Sequence, residues 1–123
     1  MARFVYLNVN DTKREHEDCV VRAITLASGL KYHTVEKLIQ LVAEHNGCDG
    51  LTVNCYHYLL ENVLGYQVKF ADEYETVDDI IRQYPNNTLI IRLDGHLTAI
   101  INSTIYDLWD TSDRYVDRYW IVQ

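Results

Sequence analysis

Gly95-His96-Leu97-Thr98-Ala99-Ile100-Ile101, answered by Ile105-Tyr106-Asp107-Leu108-Trp109, is the stretch on which the reading of this chain turns. Side chains along a strand alternate between two faces, so His96, Thr98 and Ile100 share one face of the first segment. With Asn102-Ser103 as a two-residue turn, Ile101 pairs with Thr104. Counting outward then sets Thr98 opposite Asp107 and His96 opposite Trp109. Asp107 falls on the His96 face, one diagonal step from the imidazole and within its reach. A carboxylate that holds an imidazole is half of a catalytic triad. The missing half is a nucleophile, and Cys19 is placed to supply it.

The same alternation extends on both sides of the hairpin. Leu89-Ile90-Ile91-Arg92-Leu93 reads as a strand, Asp94-Gly95 as a hairpin turn of the preferred kind, and 104–109 as the next strand. A polar turn, Asp110-Thr111-Ser112-Asp113-Arg114, leads to a last strand at about 114–122, which makes a meander from Thr88 onward. Upstream, Thr76-Val77-Asp78-Asp79 opens a short helix to Gln83, with acidic residues in the first turn where the dipole favours them. Residues 66–71 alternate as a strand, and a helix over about 53–64 stops at Gly65.

Two helices precede these elements. Val35, Leu38, Ile39 and Val42 fall at i, i+3, i+4 and i+7 of a helix over 34–46, capped by Thr34 and ended by Gly47. From Cys19 to Ser28, Val20, Ala23, Ile24 and Ala27 form one stripe, and Cys19, Ala23, Leu26 and Leu30 an adjoining one. That helix is expected to be buried on most sides, with Arg22 and Thr25 outward and Gly29 as terminator. Residues 3–8 suit a short strand, and 9–17 a polar loop. The expected class is α+β: N-terminal helices, with the Cys19 helix central among them, packed on a C-terminal antiparallel sheet.

The bulk numbers narrow the field. At 123 residues the chain is expected to be a single domain, 1–123, and 48% hydrophobic residues read as globular. No apolar run is long enough to span a bilayer. The first residues, Met1-Ala2-Arg3-Phe4-Val5, lack the apolar region of a cleavable signal. Three cysteines, an odd number, fit free thiols better than a disulfide framework, so a reducing cytoplasm is expected. A net charge of −7 argues against non-specific binding to nucleic acid or to an anionic membrane. It leans toward a basic partner or substrate, although solubility accounts for it equally well.

Thiol catalysis needs a thiol that ionises, a base for its proton and a group that orients the base. Cys19 stands in the first turn of its helix, where unpaired amides and the dipole favour an anion, directly after Asp18, a good cap residue at the edge of the cleft. His96 is the base and Asp107 the orienting acid. Trp109, on the same strand face, would shield their hydrogen bond from water. Asp110 has the opposite parity and reads as a turn residue. His45, Cys48, Cys55 and His57 are the chain's nearest approach to a zinc set, but their spacing fits no finger. Cys55 is better explained as core beside Leu59. No metal and no cofactor are expected.

A cysteine opening a central helix in Asp18-Cys19-Val20-Val21-Arg22-Ala23, a distant Gly95-His96 starting a strand, and Tyr106-Asp107-Leu108-Trp109-Asp110 on the next resemble the papain-like cysteine peptidase superfamily. The likeness is closest to its small bacterial and phage members and to its transglutaminase-like and bacteriocin-leader-peptidase branches. It implies a papain-like fold, with Cys19 as nucleophile, His96 as general base and acid, and Asp107 as orienting residue. The Cys-Gly-Ser-Cys-Trp type of signature is absent; Glu17-Asp18-Cys19-Val20 stands in its place. The superfamily also implies a glutamine or asparagine oxyanion donor ahead of the cysteine. No glutamine precedes Cys19, which leaves Asn8 and Asn10, with Asn10 the nearer.

The expected function is hydrolysis of a peptide, isopeptide or side-chain amide bond in a protein or peptide substrate, without nucleic-acid or membrane partners. The same residues would run deamidation or transamidation. The competing readings are an inactive papain-like fold that binds or inhibits a protein partner, and an unrelated α+β interaction domain with Cys19 as core.

Overall fold

The computed structural model describes residues 3–9, 18–49 and 52–123. In chain order these form β1 (Arg3–Tyr6), α1 (Cys19–Ser28), α2 (Tyr32–Asn46), α3 (Val53–Tyr58), β2 (Gln67–Phe70), α4 (Val77–Gln83), β3 (Thr88–Leu93), β4 (His96–Ile101), β5 (Thr104–Asp107) and β6 (Arg118–Ile121). A π-helical turn, Leu59–Val63, prolongs α3. The class is α+β, built on a sheet in the order β1-β5-β4-β3-β6-β2.

Local signals account for the element ends. Gly29, at φ 77°, closes α1 in the left-handed region and returns its N–H to the Thr25 carbonyl. Thr76 and Asp79 form a reciprocal capping box at the start of α4. Asn102 and Ser103 both have positive φ, 49° and 64°, the mirror-image turn whose twist suits a hairpin. The register of β4 and β5 follows from that turn: Ile101 faces Thr104, Ile100 faces Ile105 and Ala99 faces Tyr106. In the Asp94-Gly95 turn only Gly95 is left-handed, so this one is not the double-positive type.

Both faces of the sheet are covered. Helices α1 to α3 pack with Ile90, Leu97, Ala99 and Trp120 on one side. Val77, Ile80 and Ile81 of α4 pack with Leu89, Ile91, Ile100 and Ile105 on the other. Double coverage explains why β3 and β4 read as nearly unbroken apolar runs. Each fully buried aliphatic side chain there contributes about 1.5–3 kcal/mol.

The architecture departs from the expected one at several points. The sheet is mixed rather than antiparallel, because β1 pairs in parallel with β5. The meander stops at β5, and β6 crosses to the far side of β3, where it carries β2 at the edge. The connecting loop is tied to the start of α4 (Val77 N–H to Arg114 O, Asp78 N–H to Ser112 O) and then to β3 (Asp117 N–H to Arg92 O), which sets that route. Alternation reveals faces; it does not reveal neighbours. Helix α2 begins at Tyr32 with Lys31 as its cap, so Thr34 lies inside it.

Two further corrections concern side chains. Arg22, expected outward, is buried at 5% exposure by an ion pair with Asp18. Cys48 and Cys55, expected as free thiols, form a disulfide with Cα atoms 5.9 Å apart, because the bend between α2 and α3 brings the two helix ends together. Cys55 is fully buried, as its core reading required. No helix among the described residues is long and apolar enough to cross a membrane.

Candidate active site

Three element ends converge. The first residue of α1 is Cys19, the first of β4 is His96 and the last of β5 is Asp107. Cys19 is half-buried and, like His96, lines a cleft of about 530 Å³. His96 Nε2 lies 2.6 Å from Asp107 Oδ2, a hydrogen bond between two side chains that are nearly covered. With Nε2 so engaged, Nδ1 is the ring nitrogen left for the thiol. Asp107 is itself held: its Oδ1 accepts the Leu108 N–H at 2.7 Å, and its carbonyl accepts the Leu7 N–H at 3.0 Å. Strand β1 thus braces the acid from one side while β4 presents the imidazole from the other.

Burial alone would lower the His96 pKa. The hydrogen bond to Asp107, reinforced by Cys19 on the other side of the ring, outweighs burial and lifts it to about 9. The histidine is therefore a cation at neutral pH, flanked by a carboxylate and a thiol. Trp109 lies just beyond the end of β5, not within it, and remains 44% exposed. Its ring nonetheless lies against that of His96, with centroids 4.2 Å apart.

Asp18 differs from expectation. Its side chain does not cap α1, and the residue is buried at 1% exposure. There it accepts the Tyr32 hydroxyl at 2.9 Å and pairs with Arg22. Arg22 Nη2 also lies 3.9 Å from Asp107 Oδ1, so one buried guanidinium stands between two carboxylates. Burial lowers the Arg22 pKa and Asp107 acts against that. Sequence reasoning missed this residue, although Asp18 and Arg22 have the i, i+4 spacing of a helix pair.

Asn10 lies outside the described residues. Asn8 belongs to the segment that follows β1, directly after the Leu7 contact to Asp107. Ser112 donates its N–H to Asp110 Oδ1 at 3.0 Å, so Asp110 serves a turn. Of the four residues weighed for zinc, Cys48 and Cys55 are bonded to each other. His57 packs its ring between Tyr56 and Trp120. Burial first, then repulsion from Arg118 and Arg92, presses the His57 pKa down to about 4.

The cleft is also lined by Thr52, Val53 and Tyr56 from the α3 region, and by Arg92 from β3. Arg92 is the single charge within an otherwise apolar strand core, and that isolation was the available signal for it. No family model, no curated protein and no solved structure matches this chain.

Proposed function

We propose that this chain is a papain-like cysteine hydrolase acting on a peptide, isopeptide or side-chain amide bond. One observation carries the reading: Cys19, His96 and Asp107 come from three separate elements and meet at one cleft, with Trp109 over the imidazole. Core packing alone gives no reason to bury a histidine against an aspartate beside a half-exposed thiol.

The chemistry follows from the atoms available. The Cys19 sulfur attacks the substrate carbonyl as a thiolate, its proton held on His96 Nδ1. The first-turn N–H of Cys19 has no acceptor within the helix and is the donor available to the developing oxyanion. His96 then protonates the leaving amine, and the acyl-enzyme forms. Water loses a proton to the same nitrogen, attacks the thioester and releases the acid with regeneration of the thiol. Asp107 keeps Nε2 protonated throughout, which fixes the tautomer and leaves Nδ1 for the transfers. Amine in place of water gives transamidation. The Cys48–Cys55 disulfide suits an oxidising compartment better than the reducing cytoplasm expected from the odd cysteine count.

The test is alkylation of the thiol by iodoacetamide across pH, with Cys19→Ala and His96→Ala as controls, alongside a peptide and isopeptide substrate screen. Fast labelling of Cys19 that collapses in His96→Ala, together with turnover lost in Cys19→Ala, is the expected result. Labelling indifferent to His96 would overturn the catalytic pair. A responsive thiol without turnover on any substrate would move the reading to a binding module with the same fold.

A further inference from the structure

The whole protein carries a net charge of −7, yet the described residues that line the cleft include Arg22, Arg92 and His96 and no carboxylate. Arg22 and His96 are committed to Asp18 and Asp107. Arg92 is different. It lines the same cleft as the thiol, and its cross-strand partner in β6 is another arginine, Arg118. Like charges directly opposite each other weaken a sheet, so core stability does not explain the pair.

The surroundings leave this positive charge under-compensated. Arg92 Nη1 bonds Asp117 Oδ2 at 2.6 Å, but the Asp117 side chain is half exposed and screened by water. Arg118 lies over the Phe70 ring at 4.9 Å, and its Nε is buried with no hydrogen-bond partner. His57 packs behind them as a neutral ring and adds a buried Nε2 that also has no partner. Among the described residues, the half-exposed Asp117 is thus the one carboxylate bonded to this pair of guanidiniums. A planar guanidinium at a cleft wall matches a carboxylate on an incoming ligand better than any other common group.

We infer that Arg92, backed by Arg118, is the specificity determinant of the cleft and selects substrates that carry a carboxylate within a few residues of the bond cleaved. This rests on the hydrolase reading for the word substrate; the binding preference itself does not need turnover. The ligand carboxylate has two sources, an acidic side chain or a free chain terminus. The overall acidity of the protein, which by itself leans toward basic partners, is here opposed by the local field of the cleft.

The experiment uses the full chain carrying Cys19→Ala and fluorescein-labelled octapeptides, C-terminally amidated, with Glu, Gln or Lys placed at each position in turn. Free-acid versions of the Gln peptides form the second arm. Binding is read by fluorescence polarisation at low and high salt. The expected result is a three- to tenfold preference for Glu over Gln at one or two positions. It should be lost on Arg92→Gln, kept on Arg92→Lys at reduced strength, and weakened by salt in the unmodified cleft. A preference confined to the free-acid arm identifies the terminus as the source. Equal binding of Glu and Lys peptides with no gain from a free-acid terminus, a carboxylate preference that survives Arg92→Gln, or no binding by any peptide overturns the inference. Arg92-dependent binding combined with no turnover by the Cys19 protein upholds it while removing the hydrolase reading.

Discussion

Trp109 stacks against His96 with ring centroids 4.2 Å apart and planes 32° from parallel. The other tryptophan, Trp120, stands 5.1 Å from His57. Each indole therefore reports on one histidine, and the two imidazoles titrate in opposite directions from the ordinary value, His96 at about 9 and His57 at about 4. A protonated imidazole quenches a stacked indole. Intrinsic fluorescence should rise in two steps with pH, near 4 and near 9. Trp109→Phe should remove the alkaline step alone, and an unchanged profile in that variant would contradict the stacking.

The same two groups shape stability. His96 has a folded pKa above its unfolded one, so its contribution is complete below about pH 6.5 and is lost as pH rises through about 9. His57 has a folded pKa below its unfolded one, so its contribution is present above about pH 6.5 and is lost as pH falls through about 4. Urea unfolding across pH should show greatest stability near 6.5. Asp107→Asn should flatten the alkaline limb and His57→Phe the acid limb.

Arg22 is expected to be the costliest single charge to remove. Arg22→Ala removes the guanidinium that pairs with the buried Asp18 carboxylate and strips one neighbour from Asp107. Breaking one half of a buried pair costs about 3–5 kcal/mol. The double variant Asp18→Leu with Arg22→Met should recover most of that stability, because no uncompensated charge remains. It should not recover thiol reactivity, since Asp107 loses the guanidinium in both. Chemical denaturation and iodoacetamide labelling separate the two effects. A loss under 1 kcal/mol in Arg22→Ala would contradict the pairing.

Reduction of Cys48–Cys55 should destabilise the protein by about 2–3 kcal/mol, the loop-closure value for a bridge spanning seven residues. Cys48→Ala with Cys55→Ala should match the reduced protein and be insensitive to dithiothreitol. Thermal unfolding with and without reductant measures this directly. A drop in the melting temperature on reduction in the double variant as well would assign the effect elsewhere.

The sequence by itself determined most of what is local. The Asn102-Ser103 turn sets the β4–β5 register, and from that register the meeting of His96 with Asp107 follows by counting parity. The helix beginning at Cys19 was equally legible, because its apolar stripes repeat at 3.6 residues and Gly29 ends it. These are short-range facts, carried by residues a few positions apart. Which elements lie side by side was settled by the packed fold alone: β1 in parallel with β5, β6 beyond β3, and the α3 region and Arg92 lining the cleft with the thiol. The packed fold also decided that Arg22 goes inward and that Cys48 joins Cys55. A pattern of apolar residues states how much surface must be covered and on which face, but any apolar face of suitable size can cover it. The choice among partners is made by the simultaneous packing of all the elements, in which a charged side chain such as Arg22 goes inward only where an opposite charge meets it.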